Sequence, residues 1–74
     1  MDNVDIARLQ KYLSTKFGMD NLTVRGRPNK DDSAEVYIGD EFIGVIFRDD
    51  EEGDVSYDFN MAILEIDLPE RPAN

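Results

Sequence analysis

The sequence predicts an α+β fold in which one N-terminal helix packs on one face of a four-stranded antiparallel β-meander. Three observations support this prediction. Apolar residues recur at three- and four-residue steps near the N-terminus, alternating apolar and polar residues follow, and a two-residue turn aligns the alternating segments on one face. We expect a single domain over residues 1–68 and a flexible C-terminal tail over residues 69–74.

The helix is predicted over residues 3–17. Its apolar stripe consists of Ile6, Leu9, Leu13 and Phe17, with Tyr12 beside it. Asp2 or Asn3 can cap the free N–H groups of the first turn, and Gly18 can adopt the left-handed conformation that ends a helix. Both ends of the helix are therefore marked in the sequence.

Four strands are predicted over residues 22–27, 33–38, 41–48 and from 55 toward 68. If Gly39 and Asp40 form a two-residue turn, Ile38 lies opposite Glu41 and Val36 opposite Ile43. Pairing Phe47 with Val55 then continues the same face into the last strand. The predicted core face comprises Leu22, Val24, Ala34, Val36, Ile38, Ile43, Val45, Phe47, Tyr57, Phe59 and Met61.

The last predicted strand is long and changes its alternation. Apolar residues occupy odd positions through Met61 and even positions from Leu64 to Leu68. A β-bulge or bend near residues 61–63 explains this change, and the segment LEIDL would then pair with the first strand or with another molecule. Pro69 and Pro72 end the strand.

The opposite sheet face is the first candidate interaction site, and its predicted residues are Tyr37, Phe42, Gly44 and Ile46. An aromatic pair on a face that antiparallel sheets usually leave wet indicates a covering, either by the chain's own tail or by a partner. Gly44 is unusual in mid-strand: it is either a notch for a docked peptide or the place where an aromatic ring of the next strand folds over the backbone.

Composition excludes several functional classes. The 74-residue chain has no cysteine and no histidine, which removes disulfides, thiol nucleophiles and the commonest general base, so we expect no enzyme and no cofactor. A net charge of -9 opposes binding to nucleic acid or anionic membranes. No apolar run is long enough to span a bilayer and no signal peptide is recognisable, so a cytoplasmic location is expected.

Charge is unevenly distributed along the chain. Residues 1–30 contain six basic and three acidic residues, or +3, whereas residues 31–74 contain two basic and fourteen acidic residues, or -12. Within the first part, Arg25, Arg27 and Lys30 form a basic island. Alternate arginines on a strand point to one side and can hold a phosphate or carboxylate, or they can pair internally with nearby acids such as Glu35.

The acidic segment between the third and fourth strands contains Asp49, Asp50, Glu51, Glu52 and Asp54. Its carboxylates could bind calcium or magnesium, but the contiguous acids lack the spacing of an EF-hand loop. The alternative is a solvated hairpin loop in which Gly53 has a positive φ.

The segments KDDSAEVYIGDEFIGVIFRDDEEGD and SYDFNMAILEIDL resemble a family of short bacterial proteins found mainly in alphaproteobacteria and classified only as a domain of unknown function. The resemblance covers most of the chain and is most specific over residues 30–47. It implies a cytoplasmic bacterial protein and supplies no catalytic residue, ligand or partner.

Two functional hypotheses follow. The first is a small protein–protein interaction module, either self-associating as a homodimer or binding another protein, through the second sheet face or the last strand. The second is a regulatory domain that binds a small anion at the basic island or a divalent cation at the acidic segment.

Overall fold

The computed structural model describes residues 1–72 and confirms the predicted fold class. Helix α1 (Asn3–Phe17) precedes strands β1 (Leu22–Arg27), β2 (Lys30–Ile38), β3 (Glu41–Asp49) and β4 (Ser56–Asn60). The strands form one antiparallel sheet in the order β1-β2-β3-β4. A short 3-10 helix, Glu65–Asp67, follows β4. The predicted tail over residues 69–74 includes two residues, 73 and 74, that lie outside the described part.

The ends of α1 are capped as the sequence predicts. Asp2 has extended backbone geometry, and its carboxylate accepts a 2.8 Å hydrogen bond from the backbone N–H of Asp5. Gly18 has a φ of 65° and ends the helix, with its N–H directed to the carbonyl groups of the last turn. Of the predicted apolar stripe, Leu13 is buried and Ile6 and Leu9 are half-buried, but Phe17 is exposed.

The helix packs along β1 and runs antiparallel to it. Ile6 touches the position of Gly26 near the end of β1, whereas the Ser14 hydroxyl donates to the carbonyl of Leu22 at its start. The Gln10 side-chain oxygen accepts a 3.0 Å hydrogen bond from the N–H of Val24. These polar contacts occupy the free edge of β1, which otherwise presents unpaired backbone groups.

The predicted hairpin register is confirmed next to the turn and wrong beyond it. Ile38 pairs with Glu41 and Tyr37 with Phe42, but Val36 pairs with Gly44, so Ile43 is an extra residue in β3. This β-bulge reverses the facing of every later residue in β3. Ala34 consequently pairs with Ile46 instead of Val45.

The bulge changes which residues of β3 form the core. The buried apolar residues are Leu13, Leu22, Val24, Ala34, Val36 and Ile46. Ile46 is 1% exposed and faces the helix, whereas Val45 and Phe47 lie on the opposite face. Tyr57 and Phe59 pack against the core as predicted, and Ile46 lies opposite Phe59.

The predicted long last strand is wrong. β4 ends at Asn60, and its register places Phe47 opposite Asp58 and not opposite Val55. Residues 61–64 form no regular structure, and Met61 is 52% exposed. The change of alternation that we predicted to be a bend within a strand is instead the end of the strand.

Candidate interaction site

The outer face, defined as the sheet face turned away from α1, has a different composition from the predicted one. Tyr37 and Phe42 lie on it and form the predicted cross-strand pair, with ring centroids 5.7 Å apart in an edge-to-face arrangement. Gly44 and Ile46 do not lie on it, because the bulge at Ile43 turns both toward the core. Phe47 takes their place on the outer face and is 41% exposed.

Gly44 has a packing explanation. A Cβ at this position would lie 2.4 Å from the backbone oxygen of Asn60 and 2.6 Å from a ring carbon of Phe59. An aromatic ring of the next strand therefore folds over the glycine, as one of the two sequence interpretations predicted, although on the inner face.

The basic island is engaged with neighbouring outer-face residues. The guanidinium carbon of Arg25 lies 3.9 Å from the centroid of the Tyr37 ring. Arg27 donates a 3.1 Å hydrogen bond to the hydroxyl of buried Ser33 and lies 3.9 Å from a carboxylate oxygen of Glu35. Both arginines lie on the same side of β1, as predicted, and their contacts match the internal-pairing alternative. Lys30 is exposed at the start of β2.

Tyr37 links the aromatic pair to this polar cluster. Its hydroxyl donates a 2.9 Å hydrogen bond to Glu35. This hydrogen bond raises the pKa of Tyr37 above its ordinary value of 10.0, and partial burial and the negative charge of Glu35 act in the same direction, whereas Arg25 opposes them.

Substitution Glu35→Ala is expected to return the Tyr37 pKa toward its ordinary value, because it removes both the acceptor and the charge. Since the folded-state pKa is raised, the stabilising contribution of the neutral hydroxyl is present below pH 10 and is lost as the pH rises through the folded-state pKa. Ultraviolet absorbance titration of tyrosine ionisation measures the shift, with Tyr37→Phe identifying the signal. An unchanged titration curve in Glu35→Ala would contradict the assignment.

The acidic segment forms a loop with local contacts. Arg48 donates a 3.2 Å hydrogen bond to Asp50, and the Asp49 carboxylate accepts one of 3.1 Å from the N–H of Glu51. Gly53 has the predicted positive φ, at 88°. Within residues 1–72, no group of three or more acidic side chains is arranged to hold a metal ion. Metal binding by Asp49, Asp50, Glu51, Glu52 and Asp54 stays a prediction.

A groove between α1 and β4 was not predicted from the sequence. Because α1 lies over β1, the inner surface near β4 is only partly covered, and the gap is lined by Asp5, Arg8, Leu9, Tyr12, Leu13, Ile46, Tyr57 and Phe59. Most of its walls are apolar, and Tyr12 is 58% exposed. We call this gap the α1–β4 groove.

The C-terminal arm, defined as residues 61–68, was predicted as the overhanging end of the last strand, but it is not a strand. Its large apolar side chains are all exposed: Met61, Ile63, Leu64, Ile66 and Leu68. Ile66 is the extreme case, at 86% exposure. The arm follows β4 and lies next to the first half of β3, without joining the sheet. Exposed apolar side chains that lie close together in this way often mark a surface that binds another molecule.

The comparison with family models gives one match. The model described as "Protein of unknown function (DUF3126)" matches residues 5–67. The chain belongs to this family. No curated protein and no solved structure matches the chain. The family assignment confirms the predicted membership of a domain of unknown function, whereas its alphaproteobacterial distribution stays a prediction.

The DUF3126 match extends seven residues beyond the end of β4 at Asn60. Most of the C-terminal arm is therefore part of the family domain, together with α1 and the four strands. Within residues 1–72, no helix is both long and apolar enough to cross a membrane.

Proposed function

We propose that this protein is a small, non-catalytic protein–protein interaction module that acts in the cytoplasm and uses the C-terminal arm as its recognition element. The exposed apolar side chains of residues 61–68 carry the proposal. Burying one large aliphatic side chain contributes about 1.5–3 kcal/mol, so the arm has enough apolar surface for specific binding once a partner covers it.

The outer face gives a second, smaller contact area. Phe42 is 50% exposed and Phe47 is 41% exposed, and both lie on the same side of the sheet. Glu35 and Asp58 lie among them and leave this face more polar than the arm. The arm is consequently the main determinant in this proposal, and the outer face contributes to the surrounding contact.

Small-anion binding is a weaker candidate because two of the three cations predicted to bind the anion already have partners. Arg25 stacks on Tyr37, and Arg27 contacts Ser33 and Glu35. Binding an anion there would require these contacts to be exchanged for new ones.

The double variant Leu64→Ser/Ile66→Ser tests the proposed function. We expect the unsubstituted chain to sediment above its monomer mass or to capture a protein partner from cytoplasmic extract. The variant should bind about 100-fold more weakly, because it loses two apolar contacts worth at least about 3 kcal/mol together. Sedimentation velocity and affinity capture measure the two forms of association.

A matched control is Val4→Ser/Val55→Ser, which removes two exposed apolar side chains outside the arm. This control should behave as the unsubstituted chain does. Two results together would contradict the proposal. The unsubstituted chain would be monomeric at high concentration, and the arm variant would capture every protein that the unsubstituted chain captures.

A further inference from the structure

We propose that the α1–β4 groove binds the C-terminal arm of a second copy of this chain, so that two copies exchange arms reciprocally. This inference rests on the proposed function, because it names the partner and the surface that receive the arm. A two-fold arrangement would use both elements of each copy, the arm and the groove, and would leave neither exposed.

The surface area of the chain supports a second copy as the occupant. The observed accessible surface is 6120 Å². A compact monomer of this mass exposes about 4,650 Å², which is about 1,500 Å² less. Standard interfaces bury about 800 Å² per partner and obligate homodimers bury more, so the excess is of the size that a stable dimer removes from solvent.

The overall shape leads to the same conclusion. The radius of gyration is 14.7 Å, and the molecule extends 50 Å along its longest axis against 28 and 24 Å along the others. A compact chain of this length has a radius of gyration of about 11 Å. The elongation shows that the chain by itself does not reach the compactness of a globular domain.

The two edges of the sheet differ in a way that places the partner at β4. Gln10 and Ser14 of α1 bond to the backbone of β1 and cover that edge. Strand β4 is the other edge of the sheet, and the α1–β4 groove opens beside it. An open strand edge bordered by apolar side chains is a favourable site for a segment of another chain.

Charge complementarity favours the arm as the bound segment. α1, which forms one wall of the groove, carries Arg8, Lys11 and Lys16 against Asp5, and of these four residues Arg8 and Asp5 line the groove. The arm carries Glu65 and Asp67 between its apolar residues. Arg8 is well exposed and held only by a 3.5 Å contact with Asp5, so it is able to turn toward an incoming carboxylate.

The chain's own arm is directed away from its own groove. Asn60 lies opposite Val45 in the middle of β3, so the chain leaves β4 running toward the end of the sheet that holds the Gly39 turn and the end of α1. The groove extends toward Asp5, at the other end of the helix. Filling it in the same copy would require a chain reversal directly after Asn60, where residues 61–64 contain no glycine, proline, asparagine or aspartate.

Disulfide trapping tests the inference, because the natural chain has no cysteine. A tagged Ile66→Cys variant is mixed with an untagged variant carrying either Tyr12→Cys in the groove or Phe42→Cys on the outer face. Arg8→Cys provides a second groove position that keeps the apolar wall intact. We expect mixed disulfides with Tyr12→Cys and Arg8→Cys at least tenfold faster than with Phe42→Cys.

The alternative outcomes separate this inference from the proposed function. Faster trapping with Phe42→Cys would overturn the groove assignment while leaving an arm-dependent interaction in place. The double variant Ile66→Cys/Tyr12→Cys carries both cysteines in one copy. If its disulfide forms within one copy, at a rate that does not change when the protein is diluted, arm exchange is overturned. A monomeric unsubstituted chain that captures another protein through its arm would overturn the second copy as partner, and a chain that binds nothing contradicts both proposals.

A charge-swap experiment gives an independent measurement. Arg8→Glu is expected to weaken the dimer about fivefold, the scale of exposed ion pairs. Combining it with Glu65→Lys/Asp67→Lys should restore the affinity, as judged by sedimentation equilibrium. Additive weakening in the combined variant would contradict the proposed contact between the helix and the arm.

Discussion

Replacing Gly44 with alanine is expected to destabilise the fold by about 3 kcal/mol, at the upper end of the cost of overpacking. The added methyl group would lie 2.4 Å from the backbone oxygen of Asn60 and 2.6 Å from the Phe59 ring. A backbone atom cannot rotate away as the end of a side chain can. β4 must therefore move away from β3, which breaks the pairing of Val45 with Asn60.

Urea denaturation followed by circular dichroism measures this loss. Gly26→Ala is the matched control, because Gly26 also lies in a strand and its φ is not in the left-handed region. A methyl group there meets only the terminal carbon of Ile6, at 3.2 Å, and this carbon belongs to a flexible side chain. We expect the control to change the free energy of unfolding by less than about 1 kcal/mol. Equal effects of the two substitutions would contradict the close approach at Gly44.

The helix and the first strand are predictable from the sequence because local chemistry determines them. The Asp2 cap, the left-handed Gly18 and the apolar spacing define α1 over the residues predicted. The register next to the Gly39 turn is predictable for the same reason, since a two-residue turn aligns its flanking residues.

Which side chains of β3 face the core is not predictable in this way, because one bulge exchanges the two faces of the strand beyond it. Ile43 is apolar and keeps an apparently regular alternation, so the alternation itself does not show that it is the extra residue, and the one sign is the neighbouring Gly44, since a glycine in mid-strand often marks a bulge. The cause is non-local: Gly44 must lie under Phe59 and against the backbone of Asn60, in a strand that begins twelve residues later. Tertiary packing of this kind overrides a pattern based on alternation.

In the candidate site, too, the residues placed by local chemistry were predicted correctly and those placed by tertiary packing were not. Tyr37 and Phe42 are correctly placed because they lie between the turn and the bulge, whereas Gly44 and Ile46 lie beyond it. The α1–β4 groove depends on the lateral position of the helix over β1, which is determined by contacts such as that of Gln10 with Val24. Gln10 does interrupt the apolar side of α1, and this polar residue was the signal available in the sequence.

Ile46→Ala distinguishes the observed register from the one the sequence suggested, and its expected cost is about 3 kcal/mol. Ile46 is 1% exposed and lies opposite Ala34, in the centre of the core. A domain of this length has a total stability of about 4–11 kcal/mol, so the loss would be a large fraction of it.

The comparison that decides is Phe42→Ala, since Phe42 was predicted to share a face with Ile46 and is 50% exposed. Its loss removes the edge-to-face contact with Tyr37 and should cost only about 1 kcal/mol. A two-residue turn without a bulge would put both side chains on the outer face and make the two costs similar. Thermal and urea unfolding of the two variants therefore measure the consequence of the bulge directly. Truncating Ile46 costs more than truncating Phe42 only if the Ile46 side chain faces the core.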